Sequence, residues 1–143
     1  MRKIFIDTNV WLRFLVADKK EEFEDCKNLL ILNERGKFKI YTSTVVLLEI
    51  AYTLASFYQI PKKEIVSDLK NILRTRNLTL IEKTNFAKAL QIFKKLNIKL
   101  ADCLITTQIP RKILLCTYDK EFKKIKGLTS LTPKEIIQEE DAN

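Results

Sequence analysis

Short apolar runs of strand length alternate with amphipathic runs of helix length along this chain, and few architectures accept that order. Arg2–Ile6, Phe38–Tyr41, Leu78–Ile81 and Ile113–Cys116 read as strands, with a weaker one near Leu128–Leu131. The first intervening helix is expected over Thr8–Val16. A second is opened by the capping-box spacing Asp18-Lys19-Lys20-Glu21 and closed by Gly36. Ser43 caps a third, whose Val46, Ile50, Leu54 and Phe57 form one stripe. Pro61 suits the first turn of a fourth, carrying Ile65, Leu69, Ile72 and Leu73. Thr84–Leu96, with Phe86, Leu90 and Phe93, and Leu100–Ile109 follow. A basic turn covers Glu121–Lys126, and Thr132-Pro133-Lys134-Glu135 starts a terminal helix over about 133–140. Strands alternating with helices predict a three-layer α/β/α fold around a parallel sheet of about five strands. Ile113–Cys116 is wholly apolar and belongs inside that sheet. Ligands of such sheets sit beyond the carboxyl ends of the strands, where Asp7 and Asp119 fall.

The chain has 143 residues with only two glycines and three prolines, and no repeat or linker divides it. A single domain over 1–143, with an acidic tail at 139–143, is expected. Asp7 interrupts the first apolar run before a signal-peptide core could form. The longest weakly charged stretch, 40–61, holds Glu49 and five Ser or Thr, so it reads as a buried helix and not a membrane span. A soluble cytoplasmic protein is expected. Cys26, Cys103 and Cys116 stand far apart in apolar settings with no CxxC pair, which points to buried thiols.

Histidine is absent. That excludes Ser-His-Asp and Cys-His catalysis, His-bound zinc hydrolysis and His-based acid–base ribonucleases. Hydrolytic chemistry here has to run on carboxylates, lysine, hydroxyls or metal. The net charge of +8, from 26 Lys and Arg against 18 Asp and Glu, favours encounter with a polyanion.

Most acids sit in charged company and belong to solvated helix faces. Four do not. Asp7 is the only charge between Lys3 and Arg13, Glu49 the only one between Lys39 and Lys62, and Asp102 the only one between Lys99 and Arg111. Asp119 ends the run Ile113 to Tyr118. A carboxylate among aliphatic residues loses hydration and persists when paired, hydrogen-bonded or bound to metal. Taken singly, Asp7 also suits a helix cap, Asp102 a helix dipole and Asp119 a turn, whereas Glu49 lies mid-helix without such a role. Convergence of all four calls for cations, and Mg2+ and Mn2+ prefer oxygen ligands that bridge to phosphate.

Ile6-Asp7-Thr8-Asn9-Val10, the helix from Ser43 to Glu49, Leu100-Ala101-Asp102-Cys103-Leu104-Ile105, and Thr117-Tyr118-Asp119-Lys120-Glu121-Phe122 resemble PIN domains, in order and at suitable spacing over nearly the whole chain. They are similar in particular to the VapC-type toxins of toxin–antitoxin pairs. The resemblance implies a sheet of order 3-2-1-4-5 and a Mg2+- or Mn2+-dependent endoribonuclease of single-stranded RNA. It also implies a homodimer and, for a toxin, a small antitoxin partner. Asp7 and Asp102 match the principal metal ligands, Glu49 the acid that completes the site, and Asp119 the more variable fourth acid. Thr117 matches a hydroxyl that helps orient metal-bound water. Lys120, Lys123, Lys124 and Lys126 adjoin this site as candidate phosphate contacts or as a solvated face. A haloacid-dehalogenase phosphatase needs an aspartate where Asn9 stands, and a phospho-receiver needs a phosphoacceptor Asp after strand three, where Glu82-Lys83-Thr84 follows. The alternatives on the same fold are a non-catalytic RNA-binding or protein-interaction module and an RNA-processing nuclease.

Overall fold

The computed structural model describes residues 1–143. Five strands form one wholly parallel sheet in the order β3-β2-β1-β4-β5: β1 (Arg2–Ile6), β2 (Phe38–Ser43), β3 (Leu78–Ile81), β4 (Leu114–Cys116) and β5 (Ser130–Leu131). β1 is central because Ile4, Phe5 and Ile6 are apolar on both faces and lose all but a trace of their solvent exposure. It pairs Ile4 with Ile40 of β2 on one side and with Leu114 of β4 on the other.

Seven α-helices cover the sheet: α1 (Thr8–Val16), α2 (Lys20–Glu34), α3 (Thr44–Ser56), α4 (Lys62–Leu73), α5 (Phe86–Lys95), α6 (Leu100–Gln108) and α7 (Pro133–Asp141). α2 packs against α1 and α7, while α6 packs against α3 and α5. Most of their inward faces join the strands in one core that includes Trp11, Leu29, Phe38, Ile50 and Phe122, while Ala89 of α5, Ile98, and Cys103 of α6 form a smaller cluster. No helix is long and apolar enough to cross a membrane. All three cysteines are free and buried, as their apolar surroundings require.

Several local signals act as the sequence suggests. Ser43 Oγ accepts from Val46 N, and Thr132 and Glu135 complete a reciprocal capping box with Pro133 at the first helical position. Gly36, at φ +80°, takes the left-handed position after α2, and Lys37 N donates back to Leu32 O. Asp18 does not cap α2. Lys19 occupies that place without a side-chain bond, because Arg13 and the Tyr58 hydroxyl hold the Asp18 carboxylate elsewhere. α5 begins at Phe86 with Asn85 as its cap, two residues later than the pattern suggests. Pro61 caps α4 rather than lying inside it. The basic turn is a 3-10 helix over Lys120–Lys124. Glu139 and Glu140 belong to α7 and pair with Arg2 of β1, so part of the acidic tail is held against the sheet.

Candidate active site

The strand order reverses at β1: successive strands step outward through β2 and β3, then return to β1's other side as β4 and β5. Such a reversal opens a crevice at the carboxyl ends of the two central strands. Asp7 leaves β1 there and remains tied to β4, its backbone N donating to Cys116 O at 3.0 Å. Thr117 and Asp119 leave β4 beside it. Glu49 faces the same edge from α3, and Asp102 lies in the first turn of α6.

Asp7 is almost wholly buried, and both of its oxygens accept hydrogen bonds. Oδ1 accepts from Thr8 N at 2.8 Å, and Oδ2 accepts from Thr117 Oγ1 at 2.7 Å and from Asn9 Nδ2 at 3.2 Å. The Thr117 hydroxyl donates to Asp7 while accepting from Asp119 N at 3.0 Å and Asn9 Nδ2 at 3.2 Å. Asn9 closes the loop by accepting from Tyr118 N at 3.1 Å. Thr8 extends it, donating its hydroxyl to Glu49 Oε1 at 2.8 Å. The tripeptide Asp7-Thr8-Asn9 therefore positions Glu49 and the β4 loop as well as its own carboxylate. The sequence showed Thr8 and Asn9 as part of the Ile6-to-Val10 motif but gave neither a role in the site. Their roles depend on partners 41 and more than 100 residues away.

The capping roles open to these acids are also realised. Asp7 caps α1, and Asp119 Oδ1 accepts from Glu121 N at the start of the 3-10 turn. Asp102 differs. It is 4% exposed, and its Oδ2 has no hydrogen-bond partner. No ion pair reaches any of the four acids.

Electrostatics reports their convergence. Burial raises the Asp7 carboxyl to about 6 against the hydrogen bonds from Thr117 and Thr8, and the charges of Glu49 and Asp119 push the same way. Burial raises Asp102 to about 7, opposed by Lys99 and reinforced by Asp7, Glu49 and Asp119. Each of these two acids thus feels the charge of Glu49 and of Asp119.

No three of these side chains lie close enough to enclose a bare ion. The donor set suits a hydrated one. Mg2+ keeps several waters and takes one or two carboxylates plus substrate phosphate. The unpartnered Oδ2 of Asp102 and the uncompensated charge of the group are what such an ion would satisfy.

Of the nearby lysines, Lys123 donates to Ser130 O and Lys124 pairs with Glu121 and reaches Asn97 O. Both are turned to local structure. Lys120 and Lys126 are exposed and make no ion pair.

The family model described as "PIN domain" matches residues 4–128. The chain belongs to the PIN domain family. Among solved structures, this PIN domain resembles VapBC from Salmonella typhimurium bound to DNA, with TM-score 0.70, 18% identity, and 93% of this chain and 99% of that one covered. It also resembles VapBC2 from Rickettsia felis bound to a DNA fragment from their promoter, with TM-score 0.65, 22% identity, and 91% and 98% covered. PAE2754 from Pyrobaculum aerophilum gives TM-score 0.66 at 12% identity, with 99% and 97% covered. At these identities the likeness is one of fold. No curated protein matches the chain.

Proposed function

We propose that this PIN domain is a Mg2+- or Mn2+-dependent endoribonuclease of single-stranded RNA, acting as the VapC-type toxin of a toxin–antitoxin pair. The observation that carries the reading is Asp102: a buried carboxylate with an unpartnered oxygen, facing three further acids at the topological switch of a PIN fold. Asp7 and Asp102 are the principal metal ligands, Glu49 completes the site, and Asp119 is the fourth acid. A bound divalent ion supplies positive charge at the phosphoryl group and lowers the pKa of a water. The chain's own part is to hold the acids apart and in register. Thr117 and Asn9 fix the Asp7 carboxylate, and Thr8 fixes Glu49.

Thr117 is here a positioning residue. Its single hydroxyl proton goes to Asp7 and its two lone pairs accept from Asp119 N and Asn9 Nδ2, which leaves it no free group toward water. Cleavage of a labelled single-stranded RNA is expected with Mn2+, lost in EDTA and restored by excess Mn2+. Cleavage that persists in EDTA would overturn the metal reading. RNA binding without any cleavage would leave the non-catalytic module.

The neighbours from Salmonella typhimurium and Rickettsia felis are VapBC complexes, which supports an antitoxin partner for this chain. A groove of about 480 Å³ between α2 and α4, with Phe14, Leu30 and Ile31 beside Arg35 and Arg74, has the chemistry to take an amphipathic helix. The chain also pairs with a second copy of itself. Leu48, Tyr52 and Phe57 are 71%, 73% and 75% exposed on and just beyond α3, and Val66 and Leu73 are exposed on α4. Phe86, Leu90 and Phe93 form a further exposed stripe on α5. A monomeric protein rarely leaves so much aromatic and aliphatic surface uncovered. Light scattering at tens of micromolar is expected to give twice the chain mass of 16.8 kDa; a monomer at that concentration would count against the dimer.

A further inference from the structure

At the edge of the sheet opposite the acids, β1 and β4 begin beside a depression of about 490 Å³ lined by Arg2, Lys3, Arg111 and Lys112. A second depression, of about 300 Å³, lies between α5, α6 and the turn leading to β5, and carries Lys88, Arg111 and Lys126 over an apolar floor that includes Ile92 and Leu96. Arg111 lines both, so the two are neighbours. No carboxylate lines either one.

Of the six cations, only Arg2 is in an ion pair, with Glu139 and Glu140. Lys3, Lys88, Arg111, Lys112 and Lys126 are exposed and unpaired.

The connection to the acidic edge runs through α6. That helix starts at the acids, with Asp102 in its first turn, and ends beside the second depression, which Thr106 and Ile109 help to line. Thr106 and Ile109 follow Asp102 by four and seven residues, about 6–10 Å at about 1.5 Å each. A strand of nucleic acid lying over the acids thus has an acid-free, basic furrow next along its path.

We propose that this furrow holds the sugar–phosphate backbone of the RNA outside the cleavage site, with Lys88 and Lys126 nearest the acids and Arg111, Lys112 and Lys3 beyond them. Lysine ammonium groups and the arginine fork neutralise phosphates without reading bases. The furrow therefore raises affinity for long RNA and leaves the cleavage sequence to the acidic edge. The inference rests on the ribonuclease reading, but its test is one of binding.

The probe is single-stranded RNA of about 16 or about 4 nucleotides, lengths that bracket common single-strand site sizes. Binding is measured in an Asp7→Asn background by anisotropy across a salt series. Replacing Lys3, Lys88, Arg111, Lys112 and Lys126 together by Ala is expected to weaken the longer RNA by about tenfold or more. It should also lower the log–log salt slope by about 3.5, at about 0.7 for each of the five lost phosphate contacts. The shorter RNA is expected to bind equally to both proteins. Arg111→Lys with Lys112→Arg, which keeps the charge, is expected to bind as the parent does. Unchanged affinity and slope for the longer RNA would overturn the proposal, as would equal weakening of both lengths. Either result would leave metal-dependent cleavage by the unsubstituted protein untouched, so the two readings fail separately.

Discussion

Replacing Asp102 by Asn is expected to abolish cleavage and, in the same protein, to raise the melting temperature of the metal-free form near pH 8. The first effect follows from the proposed ligand role. Loss of a partner that only supports a ligand costs about 10–100-fold, and loss of the ligand itself is expected to exceed that. The second follows from burial. At pH 8 the folded chain must keep Asp102 ionised although burial and three neighbouring acids raise its carboxyl to about 7. Asn is close to the same shape and carries no charge to desolvate. Each kcal/mol regained is worth about 4 °C in a chain of this size. Activity and stability in separate assays decide the matter: undiminished cleavage by Asp102→Asn removes it from the site, and a lower melting point would mean that its carboxylate is structurally satisfied.

The metal-free fold is also expected to lose stability as pH rises from about 4 to 7, and Mn2+ is expected to restore it. Asp7 and Asp102 titrate near 6 and 7 in the folded chain against an ordinary 3.8. Between those values the folded state holds protons that the unfolded state has released. The stability this confers is whole below 3.8 and is lost as pH rises through 6 for Asp7 and 7 for Asp102. Asp7, 3% exposed, accounts for about 3 kcal/mol of the change at about 1.4 kcal/mol per unit. A divalent ion binds only the assembled and ionised group. At a hundredfold excess over its dissociation constant it contributes about 2.7 kcal/mol. Calorimetry in Mn2+ at pH 7.5 is therefore expected to show an upward shift that shrinks toward pH 5 and in Asp7→Asn. A melting temperature that ignores Mn2+ at pH 7.5 would mean that these acids form no competent metal site.

The strands were legible because burial on both faces leaves an unmistakable run, as in Ile4-Phe5-Ile6 and Leu114-Leu115-Cys116. The isolated acids were legible for the complementary reason: charge inside such runs has no local excuse. The order 3-2-1-4-5 came from the PIN resemblance, since strand patterning alone does not say which neighbours pair. Local rules failed where a distant side chain outbid them. Asp18 has the spacing of a cap, but Arg13 and Tyr58 take it instead. Phe86, Leu90 and Phe93 have the spacing of a buried stripe, yet Ala89 is the residue α5 buries. The positioning roles of Thr8 and Asn9 lay out of reach because hydroxyl and amide bonds to Glu49, Thr117 and Tyr118 exist only once β1, α3 and β4 have met.

The central strand comes first among the five, and that order has a bearing on how the chain is made. β1 gains its β2 neighbour once Tyr41 is in place, but its other edge waits for Leu114–Cys116, about 75 residues later. At ribosomal rates of about 5–20 residues per second, this apolar edge stands open for about 4–15 seconds. During that interval Ile4, Phe5 and Ile6 form an unpaired template for any other nascent strand. Slower translation between β2 and β4 would lengthen that exposure, so yield of soluble chain depends on codon usage in the segment that carries α3 to α6.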